Sequence, residues 1–289
     1  MDLAMTDATA PARSWLFVPA TRPDRFAKAA GSGADRIILD LEDAVAPNEK
    51  VDARHGLTSA AIPRDVPVYV RVNSALTPWF EDDLAVARTL AIRGILLPKA
   101  ESAAHVERAA KAIAPRHVIV PIIETASGLW NVLDVARSPR VERLVFGALD
   151  FTLDTGIHDA DGAFDAVRSR VVLASKVAGI APPVDLVTLS IDDQELLKRH
   201  AARSRNFGFG GKLCIHPKQI AVTNEAFRPT DEEVAWARAL LDELASRPQD
   251  AVFAHNGELV DRPVIERAKQ IIATAPVGSD RPGTTKTLT

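Results

Sequence analysis

The chain has 289 residues, 47% of them apolar and 25% charged, with a formal charge of −3; this is the profile of a globular protein and excludes extensive disorder. No Lys/Arg block is present, so the charge balance gives no reason to expect nucleic acid or an anionic membrane as a partner. Cys214 is the only cysteine, which excludes an intrachain disulfide and a cysteine-based zinc site and fits a reducing, cytoplasmic setting.

The N-terminus, MDLAMTDATAPARS, carries acidic residues and no continuous apolar stretch, so it does not read as a secretory signal. No later run is long and apolar enough to span a bilayer. Residues 1–12 and 276–289 are polar and rich in small residues and breakers, and flexible ends are expected there.

From Ser14 onward, short apolar runs alternate with longer amphipathic stretches, the pattern of repeated β-α units. The expected strands are Trp15–Pro19, Arg36–Leu41, Val68–Val72, Gly94–Pro98, Val118–Ile123, Leu144–Leu149, Leu186–Ser190 and Lys212–His216. Most are continuously apolar, as strands buried on both faces must be. Helices are expected over Pro23–Ala30, Glu49–Ser59, Trp79–Ala91, Ala103–Ile113, Leu129–Ala136, Phe164–Ala178 and Asp192–Ser204. Eight such units in this length predict a (β/α)8 TIM barrel rather than an open sheet.

After the eighth strand, Asp231–Ala245 reads as a helix capped by Thr230, the eighth barrel helix or its extension. A hairpin about Asn256–Gly257 and a helix over Val264–Thr274 follow. The expected organisation is a flexible N-terminus (1–12), a catalytic barrel (13–247), a C-terminal lid extension (248–275) and a flexible tail (276–289).

In such a barrel the chemistry sits at the C-terminal ends of the strands. There the sequence delivers LDLEDAVAP, VRVN, LLPKA, PIIETASG, FGALDFT and KLCIHPKQ. Glu124 and Asp150 directly follow apolar runs. Two carboxylates plus water suit Mg2+, and acids at helix starts serve equally as caps. Arg71 ends an apolar strand, where a guanidinium needs an anion: a substrate group, or Glu42 or Asp43 in an internal ion pair. Glu42 and Asp43 are adjacent, so a regular strand turns at most one of them inward; they read as supporting groups that orient Arg71 and the waters of an ion. Lys99 has the position of a Schiff-base lysine, though such lysines are more often plain charges. His216, beside Pro217, reads as hydrogen-bonded structure before it reads as a proton carrier. The glycines of FGFGG at 207–211 do not open a helix after a strand and predict no dinucleotide.

Taken in order, SWLFVPATRPDRFAKA, ILDLEDAVAPNEK, VRVN, LLPKAE, IETASG, FGALDFTLDTG, KLCIHPKQI and ELVDRPVIERA resemble the citrate lyase β-subunit-like branch of the HpcH/HpaI aldolase superfamily, with its malyl-CoA and citramalyl-CoA lyases. The resemblance implies Glu124 and Asp150 as ligands of Mg2+, with Mn2+ the alternative ion, and Arg71 as the arginine facing the substrate. Gly147 and Ala148 would offer backbone N–H groups to the bound acid. Coenzyme A would lie against Phe17, Arg22, Lys28, Ile215 and Pro217. The acid/base carboxylate of the family's C-terminal motif falls on Asp261 in LVDRP, where residue chemistry alone reads a helix cap.

The implied activity is reversible cleavage of a 3-hydroxyacyl-CoA, such as citramalyl-, malyl- or citryl-CoA, to acetyl-CoA and a 2-oxo acid. Two alternatives are a CoA-independent 4-hydroxy-2-oxo acid aldolase and a carrier-protein-dependent citrate lyase β subunit. The relatives further imply a homo-oligomer, trimer or hexamer, whose lid reaches a neighbouring subunit. The acidic stretch DTGIHDADGAF and the apolar ending APPVDLVTLS at strand seven depart from the family's expected pattern, which points to an altered acyl pocket.

Overall fold

The computed structural model describes residues 12–159, 162–246, 252–255 and 257–275; apart from Ala12, the ends expected to be flexible lie outside them. The chain divides into two units, the first ending at Phe227 and the second beginning at Arg228. Among the described residues no helix is long and apolar enough to cross a membrane.

The first unit runs β1 (Ser14–Pro19), α1 (Phe26–Ala30), β2 (Arg36–Asp40), α2 (Lys50–Ser59), β3 (Val68–Arg71), α3 (Phe80–Thr89), β4 (Gly94–Leu97), α4 (Ala103–Ala112) and β5 (Val118–Ile123). It continues through α5 (Ala126–Trp130), α6 (Val132–Arg137), β6 (Val145–Phe146), α7 (Ala148–Thr155), α8 (Asp165–Ala178), β7 (Val184–Asp185), α9 (Gln194–Asn206), β8 (Gly211–Cys214) and α10 (Ile220–Ala226). Each strand pairs in parallel with the next, and β8 returns to β1 through Trp15↔Leu213 and Leu16↔Cys214. The expected (β/α)8 barrel is therefore present and closed.

The strand interiors are largely apolar because both faces are covered. Trp15, Ile38, Tyr69, Leu96, Val120 and Val145 share the inner cluster, whereas Leu16, Ile37, Leu39, Val70, Ile95 and Ile119 pack with the helices. The Trp15 and Tyr69 rings meet at 4.8 Å between centroids, and truncating either to Ala would cost roughly 3–5 kcal/mol through lost burial and the cavity left behind. Helix starts are fixed by side-chain acceptors: Thr125 Oγ1 takes the Gly128 N–H at 3.0 Å and Asp193 takes that of Leu196 at 2.9 Å. Each such cap contributes about 1 kcal/mol.

Three expectations are corrected. The sixth strand ends at Phe146, and Ala148 already opens a helix, so Asp150 lies in the first turn of α7 rather than at a strand end. The seventh strand is Val184–Asp185 and not Leu186–Ser190. The backbone acceptors of that later segment are satisfied by side chains instead of a neighbouring strand: Lys212 Nζ donates to the Leu186 carbonyl at 2.6 Å, and Gln219 Nε2 donates to those of Thr188 and Ser190 at 2.8 and 3.1 Å. Lastly, the helix that follows β8 in the first unit is α10, which periodicity did not single out.

The helix expected to be the eighth of the barrel, α11 (Asp231–Ser246), falls in the second unit with β9 (Phe253–His255), β10 (Glu258–Val260) and α12 (Arg262–Thr274). Its apolar face, Val234, Ala237 and Leu240, packs with Phe253, Val260, Ala268 and Ile271, so this unit starts at Arg228 and not after 247. Thr230 caps α11 as expected, its Oγ1 accepting the Glu233 N–H at 3.1 Å. Of the Asn256–Gly257 turn only Gly257 is described, and its φ of 82° is the left-handed backbone the turn requires.

Candidate active site

A cavity of about 440 Å³ is lined by residues at and just beyond the C-terminal ends of the strands. Its charged lining residues are Asp40 and Asp43 from β2 and its loop, Arg71 from β3, Glu124 after β5 and Asp150 in α7. Its apolar side comprises Phe17, Ile122, Phe146, Leu186, Val187, Leu189, Leu213 and Ile215.

Arg71 is held by Asp40 in a two-point fork, Nε to Oδ1 at 2.7 Å and Nη2 to Oδ2 at 2.6 Å. Nη1 lies 2.9 Å from Glu42 Oε2, without hydrogen-bond alignment, and donates to Asp43 at 3.3 Å. The guanidinium also stacks over Phe17, 4.7 Å from the ring centroid. Burial opposes its charge, but Asp40, then Glu42 and Asp43, outweigh burial and raise its pKa. The internal ion pair is therefore real, yet its principal acceptor is Asp40, a residue the sequence reading did not single out. Asp40 ends β2, and its other work is to accept the N–H groups of Glu42 and Ala44, tying the loop to the strand. The signal available in the sequence was an aspartate closing an otherwise apolar run, RIILD.

Glu124 is buried, and its Oε1 accepts the backbone N–H of Lys99 at 2.8 Å. That amide is aimed by a Lys99 backbone with φ of 48°, a left-handed conformation that costs a non-glycine residue about 1 kcal/mol or more. On the other side, a Cβ on Gly147 would stand 2.5 Å from Glu124 Oε2 and 2.9 Å from Ile122 Cγ2, so only glycine leaves the carboxylate its place. Burial, with the Glu42 and Asp150 carboxylates adding to it, pushes Glu124 up to about 8. At Glu42 burial outweighs Arg71 and lifts the group to about 7.

Lys99 Nζ lies 3.2 Å from Asp150 and 3.7 Å from Glu42. Burial pulls its pKa down, but Glu42, Glu124 and Asp150 outweigh burial and hold it above the ordinary value. A charged ammonium of this kind is a counter-ion, not the free amine a Schiff base needs.

Glu124 and Asp150 thus offer hard oxygen donors to one cavity. Glu42 adds a buried Oε2 without a hydrogen bond. No cluster of three or more His, Cys, Asp or Glu suited to a metal occurs among the described residues, so a protein-only cage of the zinc kind is absent there. Two carboxylates with water completing the shell fit Mg2+, and a divalent cation would offset the excess negative charge that raises Glu124.

The other expected residues divide. Phe17 and Ile215 line the cavity; Arg22, Lys28 and Pro217 do not. Arg22 is paired with Asp24 at 2.7 Å, and Lys28 is exposed on α1. Asp43 is largely exposed, while Glu42 is buried. The N–H of Gly147 is spent on the Ile123 carbonyl at 3.0 Å, so it cannot greet a substrate; Ala148 and the next two residues supply the first-turn N–H groups of α7 that lack intrahelical acceptors. His216 Nδ1 accepts the Lys218 N–H at 3.2 Å and completes a capping box with Gln219, the structural role expected of it. Asp261 belongs to the second unit, where it caps α12 by accepting the Val264 N–H at 3.3 Å. Of the described part of the acidic DTGIHDADGAF stretch, Asp154 accepts the Ala126 N–H at 2.7 Å and Asp159 pairs with Arg168, and neither aspartate lines the cavity.

Known proteins resemble this chain over most of its length. Residues 13–217 match the family described as HpcH/HpaI aldolase/citrate lyase. A citrate lyase subunit beta-like protein of Mycobacterium tuberculosis is 40% identical, the alignment covering 90% of this chain and 94% of that one. A (3S)-malyl-CoA thioesterase of Cereibacter sphaeroides is 34% identical over 92% of this chain and 95% of its own. Among solved structures, protein CitE from Mycobacterium tuberculosis in complex with magnesium, acetoacetate and coenzyme A superposes with a TM-score of 0.83 at 37% identity, covering 92% of this chain and 99% of that one. With a family match over most of the barrel and these identities, the chain belongs to the HpcH/HpaI aldolase/citrate lyase family.

Proposed function

We propose that this enzyme is a Mg2+-dependent carbon–carbon lyase that reversibly cleaves a 3-hydroxyacyl-CoA to acetyl-CoA and a 2-oxo acid. The observation that carries the reading is the convergence of Arg71, Glu124 and Asp150 on one cavity, with Gly147 leaving Glu124 its place. The magnesium, acetoacetate and coenzyme A bound by the Mycobacterium tuberculosis protein support the same class of ligands here.

Glu124 and Asp150 would hold the ion, whose chemistry when bound is Lewis-acid polarisation of the substrate's hydroxyl oxygen. Arg71, fixed by Asp40, presents a rigid positive charge to the oxygen that gains electron density as the bond breaks. The hydroxyl gives its proton to solvent water and becomes the ketone of the 2-oxo acid. The carbon–carbon bond breaks, and its electron pair passes to the acetyl thioester as an enolate. Asp261 is the proposed proton donor to that enolate carbon, on the strength of the LVDRP motif, and its helix-capping bond is compatible with that second task. Phe17 and Ile215 are the retained candidates for contact with the coenzyme. A homo-oligomer, trimer or hexamer, is part of the same proposal and is read by light scattering.

The test is release of acetyl-CoA from citramalyl-, malyl- and citryl-CoA with Mg2+ and with a chelator. Metal-dependent release from at least one thioester is expected, lost in Glu124→Ala and lost in Asp261→Ala with metal binding intact. Inactivity on every free thioester, with activity on a carrier-bound one, would assign the chain to the carrier-dependent type instead. Full activity in either variant would overturn the residue roles.

A further inference from the structure

The segment that sequence periodicity read as the seventh strand is the apolar wall of the cavity. Leu186, Val187 and Leu189 all line it, although the strand has already ended at Asp185. The wall is fixed rather than pliable. Buried Lys212 and buried Gln219 hold its carbonyls at Leu186, Thr188 and Ser190, and Asp185 Oδ1 accepts the N–H of Leu186 at 2.9 Å. Lys212 is spent on the Leu186 carbonyl and is not among the lining residues.

The charges around the cavity point the same way. Among the described residues, four carboxylates, Asp40, Asp43, Glu124 and Asp150, line it against one cation, Arg71, and the neighbouring Lys99 ammonium is already engaged by Asp150 and Glu42 at 3.2 and 3.7 Å. Arg71 is already forked on Asp40. One substrate carboxylate can be accommodated beside a divalent ion and Arg71. A second would find no further cation in the described lining and would have to lose water against leucine and valine, which is unfavourable.

We propose that Leu186, Val187 and Leu189 select substrates whose 2-oxo acid half carries one carboxylate and an apolar substituent, and reject those whose 2-oxo acid half carries a second carboxylate. The inference rests on the lyase reading above and narrows it to a substrate class. Specificity is set by the wall and not by the ion, which every 2-oxo acid chelates alike. Each methylene buried against such a wall is worth roughly a factor of four in affinity, so binding strengthens as the substituent grows until the wall is filled.

The test is calorimetric titration of the full-length protein, with Mg2+ present, by pyruvate, 2-oxobutyrate, oxaloacetate and 2-oxoglutarate, repeated with chelator and with saturating coenzyme A. The expected result is 2-oxobutyrate binding about threefold or more tighter than pyruvate, with both dicarboxylates at least about tenfold weaker than pyruvate. Coenzyme A should leave the preference for 2-oxobutyrate over pyruvate unchanged. Leu189→Arg, at a largely exposed position where folding is not at stake, should invert the order in favour of oxaloacetate. Wild-type binding of oxaloacetate as tight as that of 2-oxobutyrate would overturn the inference and leave the lyase reading standing. So would an unchanged order in Leu189→Arg, or loss of the 2-oxobutyrate preference when coenzyme A is bound, which would give the wall to the thioester arm. Absence of metal-dependent binding for all four acids would overturn the lyase reading and this inference together.

Discussion

Arg71 and Asp40 form a two-point fork across adjacent strands, with both bonds between 2.6 and 2.7 Å and the pair in register in the sheet as Asp40↔Arg71. The planar guanidinium is thereby held in one orientation, with Phe17 stacked on its face. A lysine at this position could supply charge but not a fork.

Asp40→Asn should keep the barrel and lose much of the activity, because one acceptor oxygen of the fork becomes an amide donor facing Arg71. A fall in kcat/KM of about 10–100-fold is expected, corresponding to roughly 1.4–3 kcal/mol of transition-state stabilisation. Arg71→Ala should in addition lower thermal stability, by about 3–5 kcal/mol, since it strands a buried carboxylate. Steady-state kinetics and calorimetric melting check both; an Asp40→Asn enzyme with wild-type kcat/KM would show that the fork is not needed to orient Arg71.

Gly147→Ala should fold and bind metal poorly. Its new methyl would overlap Glu124 Oε2 and Ile122 Cγ2, so the carboxylate must leave its position. A loss of at least about tenfold in Mg2+ affinity is expected, equal to 1.4 kcal/mol, with the far-ultraviolet dichroism unchanged. Unaltered affinity by titration calorimetry would mean that Glu124 is not the ligand.

The pH response of the metal-free protein follows from Glu124. Its folded pKa of about 8 lies above the ordinary 4.5, so the folded state binds the proton more tightly than the unfolded state does. The associated stability is present below about 4.5 and is lost as pH rises through about 8. Binding of Mg2+ requires the ionised group, so affinity should rise with pH across this window and level off above it, with release of a proton. Calorimetry in two buffers of different ionisation enthalpy measures that proton, and Glu124→Gln should abolish it along with the affinity.

His117 gives the opposite sign at the other end of the scale. It is buried, and burial, with Arg116 and Arg140 contributing, holds it down at about 4. Its contribution to stability is therefore present above the ordinary 6.5 and is lost as pH falls from there through about 4. His117→Leu should raise the melting temperature at pH about 5 relative to wild type and have a smaller effect at pH about 8. An equal shift at both pH values would show that packing, not protonation, is responsible.

The sequence read alone determined the architecture, because strands buried on both faces must be continuously apolar and amphipathic helices must separate them. It also singled out Arg71, Glu124 and Asp150, beside short apolar runs that end in polar residues, and all three line one cavity. Periodicity failed where side chains replace backbone partners. The run Leu186–Ser190 looks like a strand, yet its carbonyls are taken by Lys212 and Gln219, residues distant in sequence. The three-dimensional arrangement was needed to show that Asp40 holds Arg71, that the Gly147 N–H is taken by the Ile123 carbonyl, and that α11 packs with α12. Each of these depends on which partner is nearest in space, and a linear pattern of apolar and charged residues encodes the faces of elements but not the neighbours those faces meet.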